Sequence, residues 1–194
     1  MKKIKPDEGE KRDAILDAAL ELFQTNGYEA TPVPLVAERA GVATGTIYLY
    51  FRSKEELVNA VWRKWKLRLA ESLLHRFPEE EDIRTQFFFL FHTLAEFSKI
   101  HPEAFSFLEF HNHRPYLNRE NLETDTMIRS FLEDFLKRGQ KQKILQNMQP
   151  DAMTAMVVGS FIGLFKASQE GQIRLNSTLL AKAAESCWRM ISLK

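Results

Sequence analysis

The sequence predicts an all-α protein, with a small helical N-terminal domain followed by a larger helical one. Three observations carry that prediction. Apolar residues recur at helical spacing in every patterned segment, and no stretch alternates apolar and polar residues long enough to read as a strand. The breaks between segments fall at residues that start or stop helices. Neither an internal repeat nor a low-complexity tract disturbs the pattern.

The elements follow in order. Met1–Asp7 is basic and proline-containing and reads as a mobile arm. Ile15, Ala18, Ala19, Leu22 and Phe23 then share one helical face, opposite Lys11, Arg12, Asp17 and Glu21. Asn26-Gly27 ends this helix, because glycine accepts the left-handed conformation at a helix C-terminus, and Tyr28 can fold back on the last turn. Thr31 is a good N-cap for a second helix, with Pro32 in its first position and Pro34 still within the first turn. Gly41 stops it after barely two turns. Val42-Ala43-Thr44 opens a third short helix through Phe51. Ser53 and Glu56 form a capping box for a fourth, whose apolar face is Leu57, Val58, Val61, Trp62, Trp65 and Leu69. Pro78 and the acidic run Glu79–Asp82 mark a boundary, beyond which helices are expected at about 83–100, 102–112, 121–139, 150–169 and 177–192. The expected division is residues 1–54 as a helix-turn-helix domain, 55–77 as a connecting helix, and 78–194 as a second domain.

The segment Val33–Arg52 has what a helix-turn-helix requires. Ala37 is the small residue where the two helices cross, Gly41 is the turn, and Val36, Ala40, Val42 and Ile47 lock the second helix onto the first. The outer face of the third helix offers Thr44, Gly45, Thr46, Tyr48 and Tyr50, hydroxyls and a close backbone approach suited to a phosphate backbone. The whole chain carries a formal charge of only +1, so charge alone points to no partner. Locally the balance differs: between Glu38 and Glu55 there is no acidic residue, but Arg39, Arg52 and Lys54 are present. A surface that faces a polyanion needs such a window.

These residues resemble a known family. Thr44-Gly45-Thr46-Ile47-Tyr48-Leu49-Tyr50-Phe51-Arg52-Ser53-Lys54-Glu55-Glu56-Leu57 is similar to the signature of TetR-type bacterial transcriptional regulators. Val36–Val42 and Ile15–Phe23 match as well, so the resemblance covers roughly the first quarter to third of the chain. It implies a DNA-binding, dimeric regulator in which Thr46, Tyr48 and Lys54 contact phosphates. Residues around Thr44, Gly45 and Tyr48 would reach the major groove, and Thr31 would anchor the start of the second helix. Pro34 and Leu49 depart from the usual pattern; Leu49 is suited to packing or to a thymine methyl. Core packing is the competing reading for Tyr48 and the stronger one for Phe51, and Arg39 reads as a solvated charge.

The C-terminal region is aromatic. Of 15 phenylalanines, only Phe23 and Phe51 belong to the N-terminal helices. Part of the remainder, with Phe88, Phe91, Phe107, Phe110, His111, Phe131, Phe161 and Phe165 as candidates, is expected to line a pocket for an apolar ligand such as a fatty acyl chain or an aromatic compound. Ordinary core packing is the alternative for each ring. Glu109, His111, Asn112, His113 and Arg114 could orient a ligand's polar end, or could form a helix end that meets water. Metal binding is not expected there, since neither spacing nor cysteine supports it. Ala155, Gly159 and Gly163 repeat every fourth residue, and Leu180, Ala184, Cys187, Trp188 and Ile191 form an apolar stripe. Two such helices from each protomer would build a homodimer, with Ala155, Gly159, Gly163, Leu180, Ala184 and Trp188 at the interface.

The expected function is therefore a DNA-binding regulator, a repressor released by a small apolar ligand on double-stranded operator DNA. The alternative is a small-molecule- or lipid-binding helical protein without sequence-specific DNA binding. An enzyme is not expected: there is no glycine-rich phosphate loop, His-Glu metal motif or activated cysteine, and no cofactor is called for. A single cysteine and the absence of an apolar signal core or membrane span fit a cytoplasmic location without membrane association.

Overall fold

The computed structural model describes residues 8–193, so the arm expected at Met1–Asp7 lies outside the described residues. Among these, nine helices follow in order: α1 (Glu8–Asn26), α2 (Val33–Arg39), α3 (Thr44–Tyr50), α4 (Lys54–Leu74), α5 (Ile83–Ile100), α6 (Pro102–Phe110), α7 (Arg119–Lys141), α8 (Pro150–Gln169) and α9 (Ser177–Ile191). The only extended pairing among the described residues is one bridge between Leu145 and Ser192. The all-α prediction therefore stands.

The chain forms two compact units. One comprises the stretch ending at Arg68 together with His101–Glu123; the other comprises Leu69–Ile100 together with the stretch from Thr124 on. The units follow contacts rather than chain order. The helix-turn-helix thus shares a unit with α6 and the loop after it.

In the first unit, α1 packs on both α2 and α6, and α2 packs on α3. Helices of seven residues are too short to persist alone, so their anchoring matters. Val36, Ala37 and Ile47 supply it, each almost fully buried, and Phe51 closes the core behind them. Gly27 and Gly41 sit at φ +79° and +67°, the left-handed region where a side chain is strained, so both turns depend on glycine. Tyr28 returns to Phe23 with ring centres 5.9 Å apart.

Two caps behave differently. The Ser53 hydroxyl accepts from the Glu56 amide at 3.1 Å as a capping box requires, but the Glu56 carboxylate takes the Arg52 amide at 2.7 Å, one residue earlier than the motif prescribes. Thr31 does not cap α2 at all. The N-cap position belongs to Pro32 and has no side-chain cap. Thr31 is fully buried, and its hydroxyl donates to the Gly27 carbonyl at 2.8 Å and lies 3.2 Å from that of Leu22. It ties the start of α2 to the end of α1.

A second polar anchor lies on α4. Buried Asn59 donates to the Tyr116 carbonyl at 2.7 Å, and its Oδ1 accepts from the Asn118 amide at 2.8 Å and from Asn121 Nδ2 at 2.9 Å. Asn118 in turn caps α7 by accepting the Asn121 amide at 3.0 Å. One asparagine therefore anchors the end of the segment that leads from α6 into α7.

In the second unit, α9 packs on α5 and α8. Phe91 meets Phe161 edge-on at 5.6 Å, and Phe87 meets Trp188 at 5.3 Å. The acidic loop after Pro78 is held by buried Gln86, whose amide nitrogen lies 2.9–3.0 Å from the carbonyls of Pro78, Glu79 and Glu81. No described helix is long and apolar enough to cross a membrane.

Candidate nucleic-acid interface and adjoining cavity

The residues of α3 divide as a groove-reading helix must. Ile47 points into the core, while Tyr48 is 51% and Leu49 83% exposed. Gly45 is exposed as well, with nothing within 4 Å of where a Cβ would stand, and Thr44, Thr46 and Tyr50 are half-buried. Tyr48 and Leu49 are adjacent large side chains that this helix leaves exposed. Core packing, the competing reading for Tyr48, does not describe it, whereas it does describe Phe51.

Charge around this face is uneven. Arg39 is engaged by Glu21 at 2.6 Å, which cancels one of the three bases of the acid-free window. Lys54 is half-buried; its ammonium lies 4.3 Å from the centre of the Tyr28 ring and 3.3 Å from the Glu29 carbonyl. It stands at the first turn of α4, beside α3 in sequence. Thr31, expected among the DNA contacts, is sealed in the core, so its side chain cannot reach a phosphate; its place is behind the interface.

The same unit contains a partly open cavity of about 200 Å³ lined by Phe23, Tyr28, Phe107, His111, Asn112, His113 and Tyr116. Phe107 and His111 were expected to bind ligand, and Asn112 and His113 were among the groups expected either to orient a ligand's polar end or to meet water. Phe23, Tyr28 and Tyr116 were not singled out for ligand, because Phe23 and Tyr28 read as core and turn and Tyr116 sat in a loop with no periodicity. Phe110 is 40% exposed and does not line it. Tyr28 and Tyr116 stack at 4.2 Å, and Phe107 and His113 approach at 4.2 Å.

The histidines turn inward. His113 is 94% buried (6% exposed), so for this residue the water-facing alternative does not hold; Asn112 and Arg114 do face solvent. His113 Nε2 bonds the Phe107 carbonyl, and His111 Nε2 the Gln24 carbonyl at 3.0 Å. A carbonyl only accepts, so each of these nitrogens carries the proton. Burial is the main cause that holds the His113 pKa below the ordinary histidine value; the Phe107 bond opposes it, and His111 and Lys66 add smaller lowering contributions. The ring is therefore neutral near pH 7, and its buried Nδ1 is a lone-pair acceptor without a partner.

The remaining expected ligand residues belong to the second unit. Phe91, Phe161 and Phe165 are buried there, and half-buried Phe131 meets Phe77 edge-on at 5.0 Å. Phe88 is half-buried beneath the Arg84 guanidinium at 5.2 Å. Of the expected dimer residues, Ala155, Gly159 and Gly163 are exposed along one face of α8, and nothing lies within 4 Å of a Cβ at either glycine. Leu180 is half-buried. Ala184 and Trp188 are buried within their own protomer, so they support α9 from behind rather than offering free surface. Cys187 is a buried free thiol with its pKa raised by burial, a packed apolar group.

A two-turn helix displaying large side chains, locked onto a second short helix by Ala37, Gly41 and Ile47, defines a helix-turn-helix DNA-binding protein. Comparison with known proteins makes the class specific. Residues 15–61 match the family model of bacterial regulatory proteins of the tetR family, and residues 62–193 match that of the tetracyclin repressor-like C-terminal domain. The chain belongs to the TetR family of transcriptional regulators.

Among its relatives, the fatty acid metabolism regulator protein of Bacillus subtilis is 40% identical over 70 residues, which cover 36% of this chain and 33% of that protein. The chain thus aligns with only about a third of that relative's length. The transcriptional regulator YhgD of the same organism is 27% identical over 171 residues, 80% of this chain and 82% of that one. A TetR family transcription regulator from Marinobacter aquaeolei shares the fold, with a TM-score of 0.85 at 21% identity over 95% of this chain and 96% of that one.

Proposed function

We propose that this regulator is a repressor that binds a near-palindromic operator as a homodimer and is released by a small apolar ligand. The observation that carries the DNA half is the outer face of α3, where Tyr48 and Leu49 stand in water within a stretch cleared of carboxylates. In this reading residues around Thr44, Gly45 and Tyr48 reach the major groove, while Thr46, Tyr48 and Lys54 contact phosphates, with the Tyr50 hydroxyl on the same face. A two-fold dimer would set two such helices about 34 Å apart, one turn of B-DNA.

Residues 1–54 then act as the DNA-binding head, 55–77 as the connection, and 78–194 as the regulatory and dimerising part. The exposed small-residue face of α8, at Ala155, Gly159 and Gly163, supports a close helix–helix approach between protomers, with Leu180 beside it. The aromatic content around Phe88, Phe91, Phe131, Phe161 and Phe165 favours an apolar effector, and a relative named as a fatty acid metabolism regulator points the same way. Such a ligand acts only by preferring the conformation that fits DNA less well. The reading places the protein in the cytoplasm, where its DNA is.

A reporter driven by the DNA upstream of the protein's own gene tests this. Expression should fall when the protein is supplied, stay high with the Tyr48→Ala variant, and return when apolar extracts are added. Expression that rises with the wild-type protein would replace repression by activation.

A further inference from the structure

The cavity behind the helix-turn-helix has a chemistry of its own. Its walls are mostly aromatic, with Phe23, Tyr28, Phe107 and Tyr116 on its boundary, and its volume of about 200 Å³ suits one ring or a fused pair rather than a long chain. One polar feature stands out. His113, 94% buried, spends Nε2 on the Phe107 carbonyl and leaves Nδ1 buried without a partner. Native proteins rarely leave such an atom unsatisfied, because doing so forfeits a hydrogen bond that water would otherwise supply. The half-buried His111 ring lies 5.9 Å away, its own Nε2 engaged by Gln24.

We propose that this cavity is a binding site for a small aromatic molecule carrying one hydrogen-bond donor, such as a phenol. His113 Nδ1 accepts the donor, and the ring lies among Phe23, Phe107 and the Tyr28–Tyr116 pair. The site is separate from the phenylalanines of the second unit, and it takes a different class of ligand from an acyl chain. Tyr28 is at once a wall of the cavity and the seat of the Lys54 ammonium. Occupancy therefore bears directly on a side chain at the DNA-binding face. That consequence rests on the regulator reading; the binding itself does not.

The test uses the full chain without DNA. Phenol and toluene are titrated at pH 7.5, each followed by the imidazole nitrogen signals of the histidines. Toluene has nearly the same shape but cannot donate. Phenol should bind saturably, move the Nδ1 signal of His113, and bind about tenfold more tightly than toluene, the effect of one hydrogen bond to a buried acceptor. A His113→Phe variant that keeps the wild-type circular dichroism should bind the two alike. Equal affinity of the wild-type protein for both probes, an unmoved His113 signal, or no saturation by phenol would overturn the proposal. Failure of the protein to bind DNA would leave this result untouched and count only against the regulator reading.

Discussion

The Lys54 ammonium rests 4.3 Å above the ring of Tyr28, which itself stacks on Tyr116 at 4.2 Å. A cation at the first turn of α4 is thereby tied, through one aromatic pair, to the segment that Asn59 clamps between α6 and α7. If Lys54 holds a phosphate, as proposed, it is aligned before that phosphate arrives. Pre-alignment of this kind lowers the entropy lost when a flexible lysine is immobilised.

Removing that charge should weaken DNA binding without changing sequence preference. In Lys54→Ala, affinity should fall on specific and random DNA alike, and the slope of log K against log salt should become shallower by about 1. Fluorescence anisotropy at several salt concentrations reads both. An unchanged slope would mean that Lys54 contacts no phosphate.

Thr31 gives the opposite expectation. Its buried hydroxyl bonds the Gly27 carbonyl, so Thr31→Val should cost about 1 kcal/mol of stability by urea denaturation. Thr31→Ser should keep most of that. In both variants the salt slope of DNA binding should equal that of the wild type, because this side chain stands behind the interface. A shallower slope would return Thr31 to the contact surface.

Acid should loosen the first unit through His113. Its folded-state pKa lies below its unfolded value, chiefly through burial. The unfolded chain therefore takes up the proton more readily, and stability present above about pH 6.5 is lost as pH falls through the folded pKa. His101 shifts in the same direction, also mainly by burial, and adds to the effect. Melting temperatures between pH 7.5 and 5 should fall more steeply in the wild type than in His113→Gln. Parallel curves would exclude the His113 contribution.

The face of α8 makes a prediction about assembly. Since nothing lies within 4 Å of a Cβ at Gly159, an arginine there is tolerated within one protomer. Gly159→Arg should leave helical circular dichroism intact yet shift sedimentation from dimer toward the 22.6 kDa monomer. A persistent dimer would place the interface elsewhere.

Sequence patterning was informative where local rules act. Gly27 and Gly41 mark helix ends that the structure has, because left-handed φ leaves little choice. The helix-turn-helix was legible for the same reason: Ala37, Gly41 and Ile47 are fixed by how two short helices must cross. Residues whose role depends on distant partners were not legible. Thr31 carries every local mark of a cap, yet its hydroxyl prefers carbonyls left open by α1. His113 looked like a solvated loop residue because nothing in its neighbours announces the Phe107 carbonyl that receives it. Ala184 and Trp188 showed an apolar stripe truthfully, but a stripe does not say whether its own protomer or a second copy covers it.

Whether α3 reads DNA as one of a symmetric pair is tested most directly by in vitro selection from random double-stranded DNA. Selection should enrich a two-fold related sequence with half-sites about one helical turn apart, bound with an affinity that falls steeply as salt rises, and Tyr48→Ala should lose that enrichment. Recovery of no common sequence by the wild-type protein, with binding indifferent to salt, would contradict that reading.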